Sequence, residues 1–172
     1  ELAGAEQLVQ AFIDVLPPPP TLVIVGGAHI AIPLAELAKT MGYRTVIVDP
    51  RRAFATEARF PGVDRLIPAW PGEAFRQFPL TKSTAGVTLS HDPKIDEPAL
   101  TLALPSAAFY VGALGSRTTQ AKRLERLRER GLSEANLDRL HGPVGLDLAA
   151  ESPEEIALSI MAQIVATRNS RA

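Results

Sequence analysis

A glycine-rich turn early in the chain has the residue types of a phosphate-binding loop. It comprises Gly26, Gly27, Ala28 and His29 and directly follows an apolar run at residues 22–25. In dinucleotide-binding domains such a turn presents backbone N–H groups and a helix N-terminus to a pyrophosphate. Only Gly26 matches the usual fingerprint strictly, because Ala28 places a methyl group where a glycine normally lets the phosphate approach. The pattern predicts nucleotide binding, with a tight turn that holds no ligand as the alternative.

An acidic side chain that suits a ribose hydroxyl ends the second apolar run. Asp49 lies 23 residues after Gly26, near the spacing of roughly 20 residues at which an acid accepts ribose hydrogen bonds. Arg51 and Arg52 follow it, and two guanidinium groups suit an additional phosphate or another anionic ligand. The alternative is an aspartate that only shapes a turn, next to two solvated arginines.

A histidine and an aspartate follow the fourth apolar run, residues 86–89. If this run is a strand of a parallel sheet, His91 and Asp92 lie at its carboxyl end, where doubly wound folds bind their ligands. Adjacent imidazole and carboxylate groups can relay a proton or hold a metal ion. A helix-capping role for His91 is the alternative. The three histidines of the chain lie in separate loops, so the sequence gives no positive indication of a metal site.

A second glycine-containing turn follows the fifth apolar run and precedes a charged helical segment. Its Gly112, Gly115, Ser116 and Arg117 favour anion binding by the same physics as the first turn. A serine cap with a surface arginine is the simpler explanation of this turn alone. Two such turns in one small domain favour a phosphate-bearing ligand more strongly than either turn does separately. The charges at residues 122–130 are interpreted as a solvated helix face, with a face that docks a partner as the alternative.

Short apolar runs alternate with helical segments and predict the framework that positions these residues. The runs that predict buried strands are residues 22–25, 45–48, 65–67, 86–89 and 108–111. Helices are predicted around residues 31–41, 53–59, 73–78 and 98–104. In the last third, Gly131 is expected to end one helix and Ser152 to begin another. We predict an α/β fold: a doubly wound (Rossmann-like), mostly parallel sheet of about five strands with helices on both faces and a helical C-terminal part.

A run of four prolines separates a short N-terminal segment from one domain. Residues 17–20 are all proline and favour a stiff, extended spacer. Before them, apolar residues recur at helical spacing. We predict an N-terminal helix and proline linker over residues 1–20, either the remnant of an upstream domain or a helix that packs on the same domain. Residues 21–172 are predicted to form a Rossmann-like domain that binds a nucleotide or cofactor.

The composition excludes several classes of protein. A net charge of −1 leaves no basic excess for binding nucleic acid. The absence of cysteine excludes disulfide bonds, thiolate metal sites and a cysteine nucleophile on this chain. The longest apolar stretch, residues 22–35, is shorter than the roughly 20 residues that a membrane-spanning helix needs. We expect a cytoplasmic protein without a membrane span.

Taken together, these segments resemble the XdhC/CoxI family, accessory proteins that mature molybdenum hydroxylases such as xanthine dehydrogenase. The resemblance runs from about residue 22 to residue 168, and the Gly-Ser-Arg and Pro-Val-Gly-Leu-Asp turns are its most specific parts. It rests on seven motifs: Gly26-Gly27-Ala28-His29-Ile30-Ala31, Asp49-Pro50-Arg51, Arg59-Phe60-Pro61, Ser90-His91-Asp92-Pro93-Lys94-Ile95-Asp96, Tyr110-Val111-Gly112-Ala113-Leu114-Gly115-Ser116-Arg117, Pro143-Val144-Gly145-Leu146-Asp147 and Ser152-Pro153-Glu154-Glu155-Ile156-Ala157.

The resemblance implies a Rossmann domain that holds the molybdenum cofactor, as molybdopterin or molybdopterin cytosine dinucleotide. Such a protein passes the cofactor to the apo-enzyme of a molybdenum hydroxylase, and a partner sulfurase is expected to act on the bound cofactor. Phosphate would lie on the turns at residues 26–29 and 115–117. Asp49, Arg51 and His91 would contact the rest of the ligand.

Two other functions also fit these residues. An NAD(P)-binding oxidoreductase would need a group that moves a proton, for which His91 is the evident candidate. The segment after the predicted sheet leaves little material for a separate substrate domain. A domain that senses a nucleotide and alters the docking of a partner is the second alternative. The resemblance favours a non-catalytic cofactor chaperone among the three, and a homo-oligomer is compatible with each.

Overall fold

Six parallel strands form the centre of the computed structural model, which describes residues 18–170. They are β1 (Thr21–Val25), β2 (Arg44–Val48), β3 (Arg65–Ile67), β4 (Thr84–Thr88), β5 (Tyr110–Ala113) and β6 (Leu140–His141). Their order in the sheet is β3-β2-β1-β4-β5-β6. The prediction of a doubly wound parallel sheet is confirmed, with six strands where about five were predicted. The N-terminal helix predicted ahead of the prolines lies outside the described residues.

The helices cover both faces of the sheet, as predicted. They are α1 (Ala31–Thr40), α2 (Pro71–Gln77), α3 (Pro93–Ala103), α4 (Arg117–Glu129), α5 (Glu134–Leu137) and α6 (Pro153–Asn169). Helices α1 and α6 pack on one face, and α2 to α5 pack on the other. In β1, Leu22 and Ile24 belong to the hydrophobic core under α1 and α6, whereas Val23 and Val25 belong to the core under α2 and α3. A strand buried on both faces has no polar side, which explains the continuous apolar run.

The order of the strands creates a switch point between β1 and β4. Strands β2 and β3 extend the sheet from one side of β1, and β4, β5 and β6 extend it from the other. Val25, the last residue of β1, pairs with Val48 of β2 and with Thr88 of β4. The loops after these three strands therefore leave the same edge of the sheet at neighbouring positions. Folds of this kind bind ligands at this edge.

Three local predictions differ from the structure. Residues 53–59, predicted as a helix, form turns, in which the Phe54 ring contacts two arginine side chains. The helix predicted at residues 98–104 begins earlier, at Pro93, whose fixed φ suits a first helical position. Strand β6 was missed because it has two residues and no apolar run marks it.

Helix α6 begins at the predicted capping serine. The Ser152 Oγ accepts a hydrogen bond from the Glu155 N–H at 3.2 Å, and the Glu155 carboxylate accepts one from the Ser152 N–H at 3.0 Å. This reciprocal pair is a capping box. Gly131, with φ of +89°, follows the end of α4 as predicted. Within residues 18–170, no helix is both long enough and apolar enough to cross a membrane.

The substitution Ser152→Ala is expected to lower the free energy of unfolding by about 1 kcal/mol, because one capping hydrogen bond is lost. Urea unfolding followed by circular dichroism measures the change. Ser170→Ala, at the other end of α6, is the matched control and is expected to change stability by less than about 0.5 kcal/mol. An equal loss at the two positions would contradict the capping role of Ser152.

Candidate ligand-binding site

The glycine turn after β1 is packed tightly against other loops of the protein. A Cβ atom on Gly26 would lie 2.5 Å from the Ser90 nitrogen, and one on Gly27 would lie 2.2 Å from the Phe54 carbonyl oxygen. Gly26 also has φ of +104°, a conformation that favours glycine. Packing therefore requires both glycines, and backbone conformation also requires Gly26, whether or not a ligand binds.

Asp49 is fully buried at the end of β2 and binds donors of the protein with both oxygens. Its Oδ2 accepts hydrogen bonds from the Gly27 N–H at 2.9 Å and from Arg51 Nη2 at 2.7 Å. Its Oδ1 accepts from the backbone N–H and from Nε of Arg51, both at 2.9 Å. Burial raises the pKa of Asp49, but these hydrogen bonds outweigh burial and hold the pKa below its usual value. The predicted contact with a ribose hydroxyl would have to share these oxygens and stays a prediction.

Two arginines contact the Phe54 ring beside this turn. The guanidinium carbon of Arg51 lies 4.1 Å from the ring centroid, and that of Arg59 lies 5.4 Å from it. Arg59 Nη2 also donates a hydrogen bond to the Gly27 carbonyl oxygen at 3.0 Å. The sequence assigned no site role to Arg59, because only the folded loop brings it next to the turn. Positive charge therefore lies beside the backbone of the predicted phosphate turn.

The end of the β1 turn leaves backbone donors open. Ala28 is half-buried and His29 is exposed. Among the described residues, the N–H groups of Ala28, His29 and Ile30 have no hydrogen-bond acceptor. These groups lie at the N-terminus of α1, where the helix dipole favours an anion. They are the part of the predicted phosphate turn that remains available to a ligand.

The loop after β4 caps α3 and holds a histidine in a rare conformation. The Asp92 Oδ1 accepts a hydrogen bond from the Lys94 N–H at 2.9 Å. Asp92 is therefore the residue that caps α3, a role that the sequence analysis considered for His91. His91 is exposed and has φ of +60°, which is uncommon for a residue with a side chain. Both side chains lie at the carboxyl edge, as predicted.

The second predicted anion turn joins β5 to α4. The Ser116 Oγ accepts a hydrogen bond from the Thr119 N–H at 3.1 Å and caps the helix, and Arg117 is exposed. Gly115 forms the turn itself, with φ of +149°. Gly112 instead lies within β5, where a Cβ would be 2.6 Å from a valine side chain of the loop before α6. Gly112 therefore allows close packing within the sheet and is not part of the turn, to which Gly115, Ser116 and Arg117 belong.

A cavity of about 400 Å³ lies between the loop after β4 and the turn after β5. We call it the β4–β5 cavity. Of the predicted site residues, His91, Gly115 and Ser116 line it. Small-molecule sites have volumes of roughly 300–1,000 Å³. The turn after β1 does not line the cavity, because β4 lies between β1 and β5, which separates the two turns by about 10 Å along the sheet edge.

The wall of this cavity carries buried charges that the sequence analysis missed. Asp96, Glu97 and Arg123 line the cavity and are 1 %, 2 % and 4 % exposed. The interpretation of residues 122–130 as a solvated face is therefore wrong for Arg123. A signal was present, because Arg123 precedes the buried Leu127 by four residues and so lies on the same helix face.

Asp96 is hydrogen-bonded through one oxygen only. Its Oδ1 accepts hydrogen bonds from the Ser90 Oγ at 2.6 Å and from the Ser90 N–H at 3.3 Å. Its Oδ2 lies 4.0 Å from Arg123 Nη2 and accepts no hydrogen bond among the described residues. Burial raises the pKa of Asp96, and the Ser90 hydrogen bond and the charge of Arg123 offset part of that rise. Glu97, by contrast, accepts hydrogen bonds from two arginines of α4 and its C-cap at 2.5 and 3.1 Å.

A second cavity, of about 470 Å³, lies on the α6 side of the same turn. Arg117, residues 143–150 and Ile156 line it, and Leu114 lines both cavities. The turn after β5 therefore separates two open spaces at the carboxyl edge. In the part of the chain that the structure describes, no three His, Asp or Glu side chains are grouped so that they could hold a metal ion.

The substitution Asp49→Asn is expected to lower the free energy of unfolding at neutral pH by about 1–3 kcal/mol, because an amide nitrogen would face N–H donors. The folded pKa of Asp49 is lowered, so its ionised form stabilises the fold above the unfolded carboxyl pKa of about 3.9. That contribution is lost as the pH falls through the folded pKa. Urea unfolding at several pH values should show the difference between the two proteins shrinking in acid.

Asp138→Asn is the control for Asp49→Asn, because the Asp138 side chain is exposed. Its stability is expected to stay within about 0.5 kcal/mol of the unmodified protein. A loss at Asp49 that is the same at neutral and acid pH would contradict the electrostatic explanation.

Comparison with known proteins identifies relatives over nearly the whole chain. The family model described as the XdhC Rossmann domain matches residues 22–164. A probable xanthine dehydrogenase subunit of Bacillus subtilis (strain 168) is 33 % identical over 163 residues, which cover 95 % of this chain and 47 % of that protein. The molybdenum cofactor insertion chaperone PaoD of Escherichia coli (strain K12) is 33 % identical over 118 residues, which cover 68 % of this chain and 36 % of that protein.

A solved structure has the same fold. The crystal structure of a xanthine dehydrogenase from Bacillus halodurans superposes with a TM-score of 0.78 and 32 % sequence identity, covering 90 % of this chain and 44 % of that chain. The chain thus spans less than half the length of each of these three proteins. The chain belongs to the XdhC family, and residues 22–164 are the part that matches the Rossmann domain of that family.

Proposed function

We propose that this chain binds the molybdenum cofactor, as molybdopterin or molybdopterin cytosine dinucleotide, and takes part in its insertion into a xanthine dehydrogenase-type molybdenum hydroxylase. The observation that carries the proposal is the β4–β5 cavity, at the edge where doubly wound folds bind ligands. Membership of the XdhC family and the function for which PaoD is named supply the chemical identity of the cargo.

Open backbone donors near the cavity support a ligand that carries phosphate. Among the described residues, the N–H groups of Gly115, Ser116 and Arg117 have no hydrogen-bond acceptor, and they lie at the N-terminus of α4. The open N–H groups before α1 lie at the same edge on the far side of β4. A ligand with a ring system at one end and a phosphate chain at the other suits this arrangement, because the cavity takes the ring and the helix N-termini take the charge.

The chain is proposed to act as a carrier, with no catalytic step assigned to its side chains. The partners are an apo-enzyme of the molybdenum hydroxylase class and a sulfurase. The sulfurase has to supply the sulfur, because this chain has no cysteine on which to carry a persulfide. The proposal includes a cytoplasmic location, as expected for a chain that loads a cofactor during enzyme assembly.

A nicotinamide nucleotide is the alternative ligand for the same edge. An NAD(P)-binding oxidoreductase, or a domain that senses a nucleotide, would use the turn after β1 together with Asp49. Both oxygens of Asp49 already accept hydrogen bonds from Gly27 and Arg51. A ribose hydroxyl of a nicotinamide nucleotide, like that of molybdopterin cytosine dinucleotide, would have to share these oxygens, so membership of the XdhC family is what favours the cofactor carrier.

The test is to purify the chain from a host that is grown with molybdate and to measure bound molybdenum and oxidised-pterin fluorescence per chain. Both should be present at a substantial fraction of one equivalent. In a thermal-shift assay with NAD and NADP, a ligand at 100 times its Kd would add about 2.7 kcal/mol of stability. Stabilisation by NADP, no copurified pterin and carbonyl turnover lost in His91→Ala would instead establish an oxidoreductase.

The substitution Arg117→Ala is expected to reduce the copurified pterin roughly tenfold, since a hydrogen bond to a charged group contributes about 1.5–3 kcal/mol. The melting temperature of the ligand-free protein should stay nearly unchanged, because the side chain is exposed. Lys122→Ala, at an exposed position on the same helix, is the control and should retain the pterin. An unaltered pterin content in Arg117→Ala would remove this side chain from the site.

A further inference from the structure

We propose that Asp96 binds the amino-bearing edge of a 2-amino-4-oxopyrimidine ring inside the β4–β5 cavity. This ring is common to pterins and to guanine. The inference rests on the proposed function for the identity of the ligand. It extends that function by naming the part of the ligand that Asp96 binds.

The unused oxygen of Asp96 is the observation on which the inference depends. The side chain is only 2 % exposed, yet it lines a cavity that is large enough for a small molecule. Its Oδ1 is occupied by the two Ser90 donors. Its Oδ2 has no hydrogen-bond donor among residues 18–170, and the nearest cation is Arg123 at 4.0 Å. The atom is not sealed from solvent, so a ligand N–H that enters the cavity can take the place of water at Oδ2.

Arg123 does not supply the missing donor, because its guanidinium group is engaged elsewhere. Its Nη2 donates a hydrogen bond to the Leu114 carbonyl oxygen at 2.8 Å, and its Nη1 donates one to the Gln120 side chain at 2.8 Å. With these bonds in place, Arg123 Nη2 lies 4.0 Å from Asp96 Oδ2, which is beyond hydrogen-bond distance. The Oδ2 atom of Asp96 therefore stays available to a group inside the cavity.

The wall of the cavity offers a hydrogen-bond acceptor at Asp96 and donors at the turn after β5. Glu97 is paired with two arginine side chains, so Asp96 Oδ2 is the carboxylate oxygen that remains for a ligand donor, whereas the open N–H groups lie on the turn after β5. Leu114 and Pro93 add apolar surface to the lining, which suits the faces of a flat ring. A ring that turns amino and imino N–H groups toward Oδ2 and its substituents toward Ser116 satisfies both ends of the cavity.

The ring chemistry can be tested with the whole chain and two fluorescent compounds. Pterin carries the 2-amino group, and lumazine is the analogue with an oxygen at that position. Fluorescence titration should give pterin an affinity at least about tenfold higher than that of lumazine, because the lumazine oxygen would face the carboxylate. Guanosine, titrated in competition, distinguishes a purine ligand from a pterin ligand. Equal affinities for pterin and lumazine, or no binding of pterin, would overturn the inference.

The substitution Asp96→Asn provides a sharper readout than loss of binding. The Ser90 donors hold an acceptor at the Oδ1 position, so the new amide nitrogen has to take the position of Oδ2. The cavity then presents a donor, and the preference should shift by at least about tenfold toward lumazine. Asp138→Asn should keep the preference for pterin. The same preference in Asp96→Asn as in the unmodified chain would overturn the role of Asp96, and the unmodified chain alone still tests the ring preference if the variant does not fold.

The outcomes separate this inference from the proposed function. A chain that copurifies with the molybdenum cofactor but does not distinguish pterin from lumazine would retain the proposed function and overturn the role of Asp96. A chain that prefers pterin through Asp96 but copurifies with no molybdenum would support the ring contact and overturn the proposed cargo.

Discussion

The parallel strands β1, β4 and β5 end side by side at one edge of the sheet, and the candidate ligand contacts depend on this alignment. Val25 of β1 pairs with Thr88 of β4, and Thr88 pairs with Ala113 of β5. The loops that follow therefore leave the sheet side by side, and Gly26 approaches the Ser90 backbone so closely that no side chain fits between them. The β4–β5 cavity and the N-termini of α1 and α4 lie at one edge because of this register.

Two buried aspartates at this edge show how the surroundings decide the role of a side chain. Asp49 receives four hydrogen bonds from Gly27 and Arg51, and they stabilise its ionised form. Asp96 receives donors on one oxygen only, and burial raises its pKa. The first carboxylate therefore holds two loops together. The second retains an acceptor that the protein does not use, which is the property expected of a group that contacts a ligand.

The turn after β5 lies between two cavities on opposite faces of the sheet. Leu114 lines both cavities, Ser116 lines one and Arg117 lines the other. A compact ligand would occupy one of them, whereas we expect a ligand with a nucleotide extension to reach past it across the turn. This difference gives the two proposed forms of the cargo, molybdopterin and its cytosine dinucleotide, different contacts on the same chain.

The sequence was sufficient to predict the framework and the ends of several helices. Continuous apolar runs identify strands that are covered on both faces, and the cap at Ser152 depends on residues within one helical turn. The turns at Gly26 and Gly115 were also located correctly, since each glycine marks a local change in backbone direction. Such features are predictable because each depends on neighbours in the chain.

The tertiary structure decided which donors the buried charged groups meet. Asp96 and Arg123 are 27 residues apart, and their burial depends on the packing of α3 beside α4. The two-residue strand β6 likewise exists only because β5 offers it an edge. The sequence alone thus determined where the chain turns and which strands are buried. The long-range pairing of Asp49 with Gly27, and the unused oxygen of Asp96, follow from contacts between distant segments that no local pattern records.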